Sequence, residues 1–277
     1  MEFKFSPHLK YLEKGTNILE KILQNPIYYL SEQENELLRN NLNEIISFED
    51  KKNINIIDLG SSDGSKTLRI VKKSLEIYEK VRYIPIDKSK SSIKKCIEIY
   101  SQIINNNFEF SPIIGDYDNI LNLNLIGNNL ILFLGSTIGN YNKLDAKNLL
   151  SKYVFLNSRF ICMFDSIPNK YKNVDTIIDA YNIPEMISID YNMIEIIKKK
   201  NPNINILDLK RKIKYDYDLN AIIRWFEITN KKTIIQTEIS YKYSEDLLYE
   251  IIPDNIILSR IWYSNNNYCF MIELIKK

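Results

Sequence analysis

From residue 54 the chain alternates short apolar runs with helical stretches five times over, and that rhythm dictates a parallel sheet covered by helices. Asn55-Ile56-Ile57-Asp58-Leu59 reads as the first strand, ending at Gly60, with a helix over about 65–79. Residues 82–86 form the second strand, closed by Asp87, with a helix over about 91–104. Residues 108–114 form the third, ending in Gly115-Asp116. Leu130 to Leu134 is the fourth, followed by a helix near 144–153, and residues 160–164 close the series on Asp165. Regular alternation then stops. Residues 166–219 read as irregular and helical, 221–228 and 233–243 as alternating strands, 245–251 as a helix, and 256–262 with 268–275 as a hairpin through an Asn-rich turn.

The fourth strand is the most informative. Its apolar run breaks off into Gly135-Ser136-Thr137 and then Gly139-Asn140. In an open α/β sheet, ligands sit just beyond the carboxyl ends of the strands. Glycines there let the backbone approach a ligand closely, and Asn140 offers a donor and an acceptor.

Three further loops converge on the same edge. Gly60-Ser61-Ser62-Asp63-Gly64-Ser65-Lys66 follows the first strand; Ser62 stands where a GxGxxG loop has its middle glycine. A plain N-capped turn is the alternative reading of the segment taken alone. Asp87 suits the hydroxyls of a ribose, or is a plain turn residue. Asp116-Tyr117 suits an adenine amino group and the face of the base. Together the loops favour an adenosine-containing ligand.

Charge and cysteines exclude other classes. The 37 basic and 35 acidic residues leave a net charge of +2, so no global field points to nucleic acid or a membrane surface. The clusters at 198–200 and 210–212 read as solvated helix and loop faces. Cys96, Cys162 and Cys269 are too few and too scattered for a disulfide framework or a CxxC metal site, and suit a reducing compartment. His8 is the single histidine, which leaves no basis for histidine-based metal chemistry, and no metal is expected. The first residues, MEFKFSPHLK, contain no apolar signal region, and nowhere are there 18 consecutive apolar residues. A cytoplasmic monomer without nucleic-acid or membrane partners is expected.

The string FLGSTIGN, residues 133–140, resembles the signature of the histidine Nα-methyltransferases of ergothioneine biosynthesis and their relatives, which use S-adenosyl-L-methionine. Ile84-Pro85-x-Asp87 and Gly115-Asp116-Tyr117 are similar to that family's corresponding segments, as is Lys66 in the first loop. The resemblance implies a Rossmann-like class I methyltransferase sheet with a C-terminal antiparallel hairpin, built from residues 36–167 and 243–277. Residues 1–35 and 168–242 would form a discontinuous substrate-binding lobe. It further implies that Gly60 and Lys66 hold the methionine moiety, Asp87 the ribose, and Asp116 with Tyr117 the adenine.

The resemblance extends to an acceptor site. Tyr11-Leu12-Glu13-Lys14-Gly15 and Pro26-Ile27-Tyr28-Tyr29 are similar to segments whose tyrosines reach the substrate, which implicates Tyr11 and Tyr28; amphipathic-helix packing is the alternative. Gly135 and Asn140 would face the amine and carboxylate, and Tyr181 the carboxylate. In Thr237-Glu238-Ile239-Ser240, alternation puts Glu238 and Ser240 on one face beside Gln236 and Lys242, by itself the wet side of a strand. In the family, such a Glu-x-Ser grips an imidazole. Arg224 stands where histidine-specific members place methionine, free to pair with Glu238 or to invite an acidic or carboxamide side chain. The expected activity is methylation of an amino acid's α-amine, histidine the leading candidate, with Tyr28 and Asn140 nearest the chemistry. A methyltransferase for another amino acid or amine, a non-catalytic cofactor-binding protein and a nucleotide-dependent oxidoreductase are the alternatives.

Overall fold

The computed structural model describes residues 2–4, 7–200, 208–229 and 234–277. Its elements run β1 (Glu2–Lys4), α1 (Gly15–Gln24), α2 (Tyr29–Asn40), α3 (Leu42–Ile45), β2 (Asn53–Leu59), α4 (Leu68–Leu75), β3 (Lys80–Asp87) and α5 (Lys90–Tyr100). There follow β4 (Phe108–Phe110), β5 (Ile113–Ile114), β6 (Asn128–Phe133), α6 (Lys143–Tyr153), β7 (Ser158–Asp165), α7 (Val174–Ala180) and α8 (Pro184–Lys200). The chain ends with β8 (Leu209–Asp216), β9 (Ala221–Ile228), β10 (Ile234–Tyr241), α9 (Glu245–Leu248), β11 (Ile256–Tyr263) and β12 (Cys269–Lys276).

The larger sheet has the order β11-β12-β7-β6-β2-β3-β4, with β5 also on β3. Strands β2, β3, β4, β6 and β7 are parallel, and the β11–β12 hairpin adds antiparallel to β7. This is the expected Rossmann-like sheet with its C-terminal antiparallel hairpin. Helices cover both faces, so the inner strands are buried nearly throughout. Ile56, Leu130, Leu132 and Met163 pack into one core, while Ile57, Leu59, Ile131 and Phe133 pack into the other. Strand order reverses at β2, whose neighbours are β3 on one side and β6 on the other. A crevice therefore opens between the carboxyl ends of β2 and β6.

The expected third strand, 108–114, is two. Pro112 has no N–H for the ladder, and the chain breaks there into β4 and β5, each parallel to β3. The region 166–219 also differs from expectation, because the eight residues Leu209–Asp216 form β8, antiparallel to β9. Four of those eight are Lys or Arg, and only Leu209 and Tyr215 are buried. Such a strand carries no apolar pattern, and its lysines suit an edge.

Strands β8, β9 and β10 form a second sheet, closed at its other edge by β1, which runs parallel to β10. Met193, Ile194 and Ile197 of α8 pack on Leu209, Phe226 and Ile235 of this sheet. The β9–β10 ladder is interrupted: Gln236 pairs with Trp225, whereas Glu238 pairs with Arg224. Thr237 is thus an extra residue, a bulge that turns Gln236 to the face opposite Glu238. Glu238 and Ser240 do share a face, but Gln236 is not beside them. Nor is that face wet, since Glu238, Ser240 and the following Lys242 are all buried.

Candidate functional site

At the carboxyl end of β2 the backbone turns sharply three times. Gly60, Ser62 and Gly64 all adopt left-handed conformations, with φ of +77°, +53° and +71°. Gly60 and Ser61 both donate to the Ile86 carbonyl, over 2.8 and 3.3 Å. The serine in the middle-glycine position therefore takes the glycine-like conformation itself. Its N–H donates to Asp87 Oδ2 over 3.0 Å, and Ser89 N–H donates to Oδ1 over 2.8 Å. Asp87 thus ties the first loop to the second. Gly64 has no room for a side chain: a Cβ there would lie 2.7 Å from Cys96 Sγ and 2.9 Å from the Tyr83 hydroxyl.

Beneath this loop lies Asp58, buried on β2, which accepts from Thr67 Oγ1 over 2.5 Å and from Tyr83 Oη over 3.0 Å. Burial raises its carboxyl to about 6, against the lowering effect of those two hydroxyls and Lys66.

The loop after β6 is coupled to α2. Gly135, at φ +71°, donates its N–H to Glu34 Oε1, and the other oxygen of Glu34 pairs with Lys66. Glu34 is buried on the apolar stripe of α2 formed by Leu30, Leu37 and Leu38. A charge inside such a stripe was the available signal for a residue that sequence reasoning missed.

A cavity of about 620 Å³ fills the crevice. Gly60, Lys66, Asp87, Asp116 and Tyr117 line it, as do Tyr11, Tyr28, Gly135 and Asn140. Asp116 is at the exposed rim, paired with Lys88. Tyr117 lies deeper, its ring edge-on to Phe133 and Tyr153, its hydroxyl close against Gly60. A smaller cavity of about 60 Å³ adjoins the first and shares its Tyr11, Tyr28, Gly135 and Asn140 walls. Its remaining lining includes Tyr181, Arg224, Glu238 and Ser240. Every residue singled out from sequence therefore lines one cavity or the other. Lys10, Glu34, Asp165, Lys172, Asp190 and Lys242 join the arrangement without having been assigned a role.

The phenols at the shared wall keep their protons. Burial, then Tyr181, Tyr11 and nearby carboxylates push Tyr28 well above the ordinary phenol range. Burial does the same to Tyr11, against the opposing charge of Arg224. Tyr28 meets Tyr181 edge-on at 6.0 Å between ring centroids.

Behind Ser240 and Tyr181 sits a buried ionic network. Lys242 Nζ donates to Ser240 Oγ over 2.8 Å, to Tyr181 Oη over 3.0 Å and to Asp165 Oδ2 at 2.9 Å. Lys172 and Tyr29 both donate to Asp165 Oδ1 over 2.8 Å. Burial works to raise the Asp165 carboxyl, but Lys172 and Lys242 outweigh it and hold it below the usual range. The Tyr181 and Ser240 hydroxyls lie 3.1 Å apart. Both oxygens accept from Lys242, so one hydroxyl donates to the other and the remaining hydrogen is free to point into the smaller cavity.

In the same cavity wall Arg224 donates from Nη2 to Glu238 Oε2 over 2.8 Å, and Lys10 pairs with the same oxygen. Asp190 Oδ2 lies 3.4 Å from Arg224 Nη1 and accepts from Arg211 Nε over 2.8 Å. Among the described residues, no group of three or more His, Cys, Asp or Glu side chains is placed to hold a metal ion. No helix there is long and apolar enough to cross a membrane.

The family described as "Histidine-specific methyltransferase, SAM-dependent" matches residues 3–277. A histidine N-alpha-methyltransferase of Mycolicibacterium smegmatis is 20% identical over 264 residues, covering 91% of this chain and 81% of the relative. Among solved structures, the magnesium protoporphyrin IX methyltransferase of Synechocystis PCC 6803 with bound SAM superposes with a TM-score of 0.52 at 9% identity. That match covers 96% of this chain and 93% of the other.

Proposed function

This chain belongs to the histidine-specific, SAM-dependent methyltransferase family, and on that premise we propose that it methylates the α-amine of an amino acid. The observation that carries the reading is the wall shared by the two cavities, where Tyr11, Tyr28, Gly135 and Asn140 face both. The cofactor suits the larger cavity: its volume, its glycine-formed loop and the Asp87 carboxylate on its wall fit an adenosine-bearing ligand. Gly60 and Lys66 would hold the methionine end, Asp87 the ribose, and Asp116 with Tyr117 the adenine. When bound, S-adenosyl-L-methionine supplies an activated methyl group on a sulfonium.

The protein's share of the work is alignment. An ammonium has no lone pair, so the amine must meet the methyl group without its extra proton. Tyr28 and Tyr11 are fully protonated at neutral pH and so act as hydrogen-bonding dipoles, not as bases. Asn140 offers the amine a carbonyl oxygen and the carboxylate an amide N–H. Tyr181 and Ser240, backed by Lys242, offer a hydroxyl hydrogen to a carboxylate. Histidine, the family's named substrate, is the first candidate. The Arg224–Glu238 pair favours a second reading, an amino acid whose side chain is acidic or carries an amide.

The test is to incubate the protein with S-adenosylmethionine and each amino acid, and to locate any new methyl group by mass spectrometry and NMR. A methyl on the α-nitrogen is expected. Transfer only to a side chain, or to no amino acid at all, would refute the reading.

A further inference from the structure

The smaller cavity is bordered by an excess of buried positive charge. On one side, Lys10, Arg224 and Arg211 share two carboxylates, Glu238 and Asp190. On the other, behind Ser240 and Tyr181, Lys172 and Lys242 share the single carboxylate of Asp165. None of these side chains is more than 9% exposed. Each group therefore holds one cation more than it has anions. Burial, and after it the nearby Arg224, lowers the pKa of Lys10 well below that of an ordinary lysine, against the attraction of Asp190.

Buried charge without a counter-charge is costly, and a ligand that brings the missing anion offsets that cost. An amino acid whose amine is neutral brings one negative charge, its α-carboxylate, which suits the Lys242 side. The Lys10–Arg224 side then calls for a second.

Three buried atoms on that side also lack a hydrogen-bond partner among the described residues, the donor Arg224 Nε and the acceptors Glu238 Oε1 and Asp190 Oδ1. A neutral amide or imidazole would answer the donor and an acceptor but leave the excess charge in place. A carboxylate answers the donor and removes the excess.

We propose that the amino acid accepted here is dicarboxylic, its side-chain carboxylate held by Lys10 and Arg224 in the smaller cavity. This rests on the amino-acid reading of the preceding subsection and names the substrate class.

The test titrates aspartate, glutamate, asparagine, glutamine and histidine into the protein saturated with S-adenosylhomocysteine, with methyl transfer measured in parallel. One of the two acids should bind at least about tenfold more tightly than its amide and than histidine. Arg224→Met should erase that preference while leaving S-adenosylhomocysteine affinity within about twofold of wild type. If the variant fails to fold, the wild-type comparison still decides. Histidine or an amide binding as tightly as the acids overturns the proposal, as does an absence of binding by all five. An acid that binds selectively but is never methylated upholds this inference and overturns the methyl-transfer reading instead.

Discussion

Arg224 and Glu238 stand directly opposite each other across β9 and β10, and the guanidinium donates to the carboxylate over 2.8 Å with both side chains buried. Lys10 completes a cation–anion–cation arrangement around one oxygen. Removing the shared anion is therefore worse than removing one cation. Glu238→Ala should cost about 3–5 kcal/mol of stability, the usual penalty for leaving buried partners without a counter-charge. Arg224→Met leaves Lys10 paired with Glu238 and should cost clearly less. Urea unfolding of both variants checks the order; equal losses would show that Lys10 does not share the carboxylate.

Asp87→Ala should weaken S-adenosylhomocysteine binding by ~10–100-fold, the equivalent of roughly 1.5–3 kcal/mol of charge-assisted hydrogen bonding. The same change releases the N–H groups of Ser62 and Ser89, so a modest loss of thermal stability should accompany it. Calorimetry that finds an unaltered dissociation constant would remove Asp87 from the ribose.

Asn140→Ala should lower kcat/KM by ~10-fold or more while changing cofactor affinity far less, since the loss of one buried hydrogen-bonding group is worth about 1–3 kcal/mol. Asn140 faces both cavities, so steady-state kinetics and cofactor calorimetry must be read together. Equal losses in the two would assign the residue to the cofactor instead.

Asp58 makes stability depend on pH. Its folded pKa of about 6 lies above the unfolded value of 3.8, so the native state binds the proton more tightly. The folded protein gains from that difference below the unfolded pKa and loses it as pH rises through the folded one. The part of stability due to Asp58 should fall by about 2 kcal/mol between pH 4 and pH 7. Asp58→Asn keeps an acceptor for Thr67 and Tyr83 and should flatten that slope in a pH series of melting temperatures. An unchanged slope would place the titration elsewhere.

The parallel sheet was legible because each inner strand is an apolar run ending in glycine or aspartate, and that pattern follows from burial on both faces. Residues 209–216 were not, because their strand lies at an edge and is half basic. The bulge at Thr237 left no mark, since alternation reads straight through it and assigns Gln236 to the wrong face. The glycine loops and Asp87 could be read from local sequence alone. Lys10, Glu34 and Asp190 could not, since their partners are distant in the chain. Glu34 and Asp190 nonetheless interrupt apolar helical stripes, and a charge in that position must find a buried partner.

The contact between Lys10 and Glu238 spans 228 residues. A chain synthesised from its N-terminus completes β2 through β7, and with them the loops of the larger cavity, before β10 has been made. Lys10 and β1 must wait through nearly the whole of translation for their partners. The two cavities therefore mature at different times. A cofactor mimic can steady the nascent chain early, whereas an amino acid can do so only at the end.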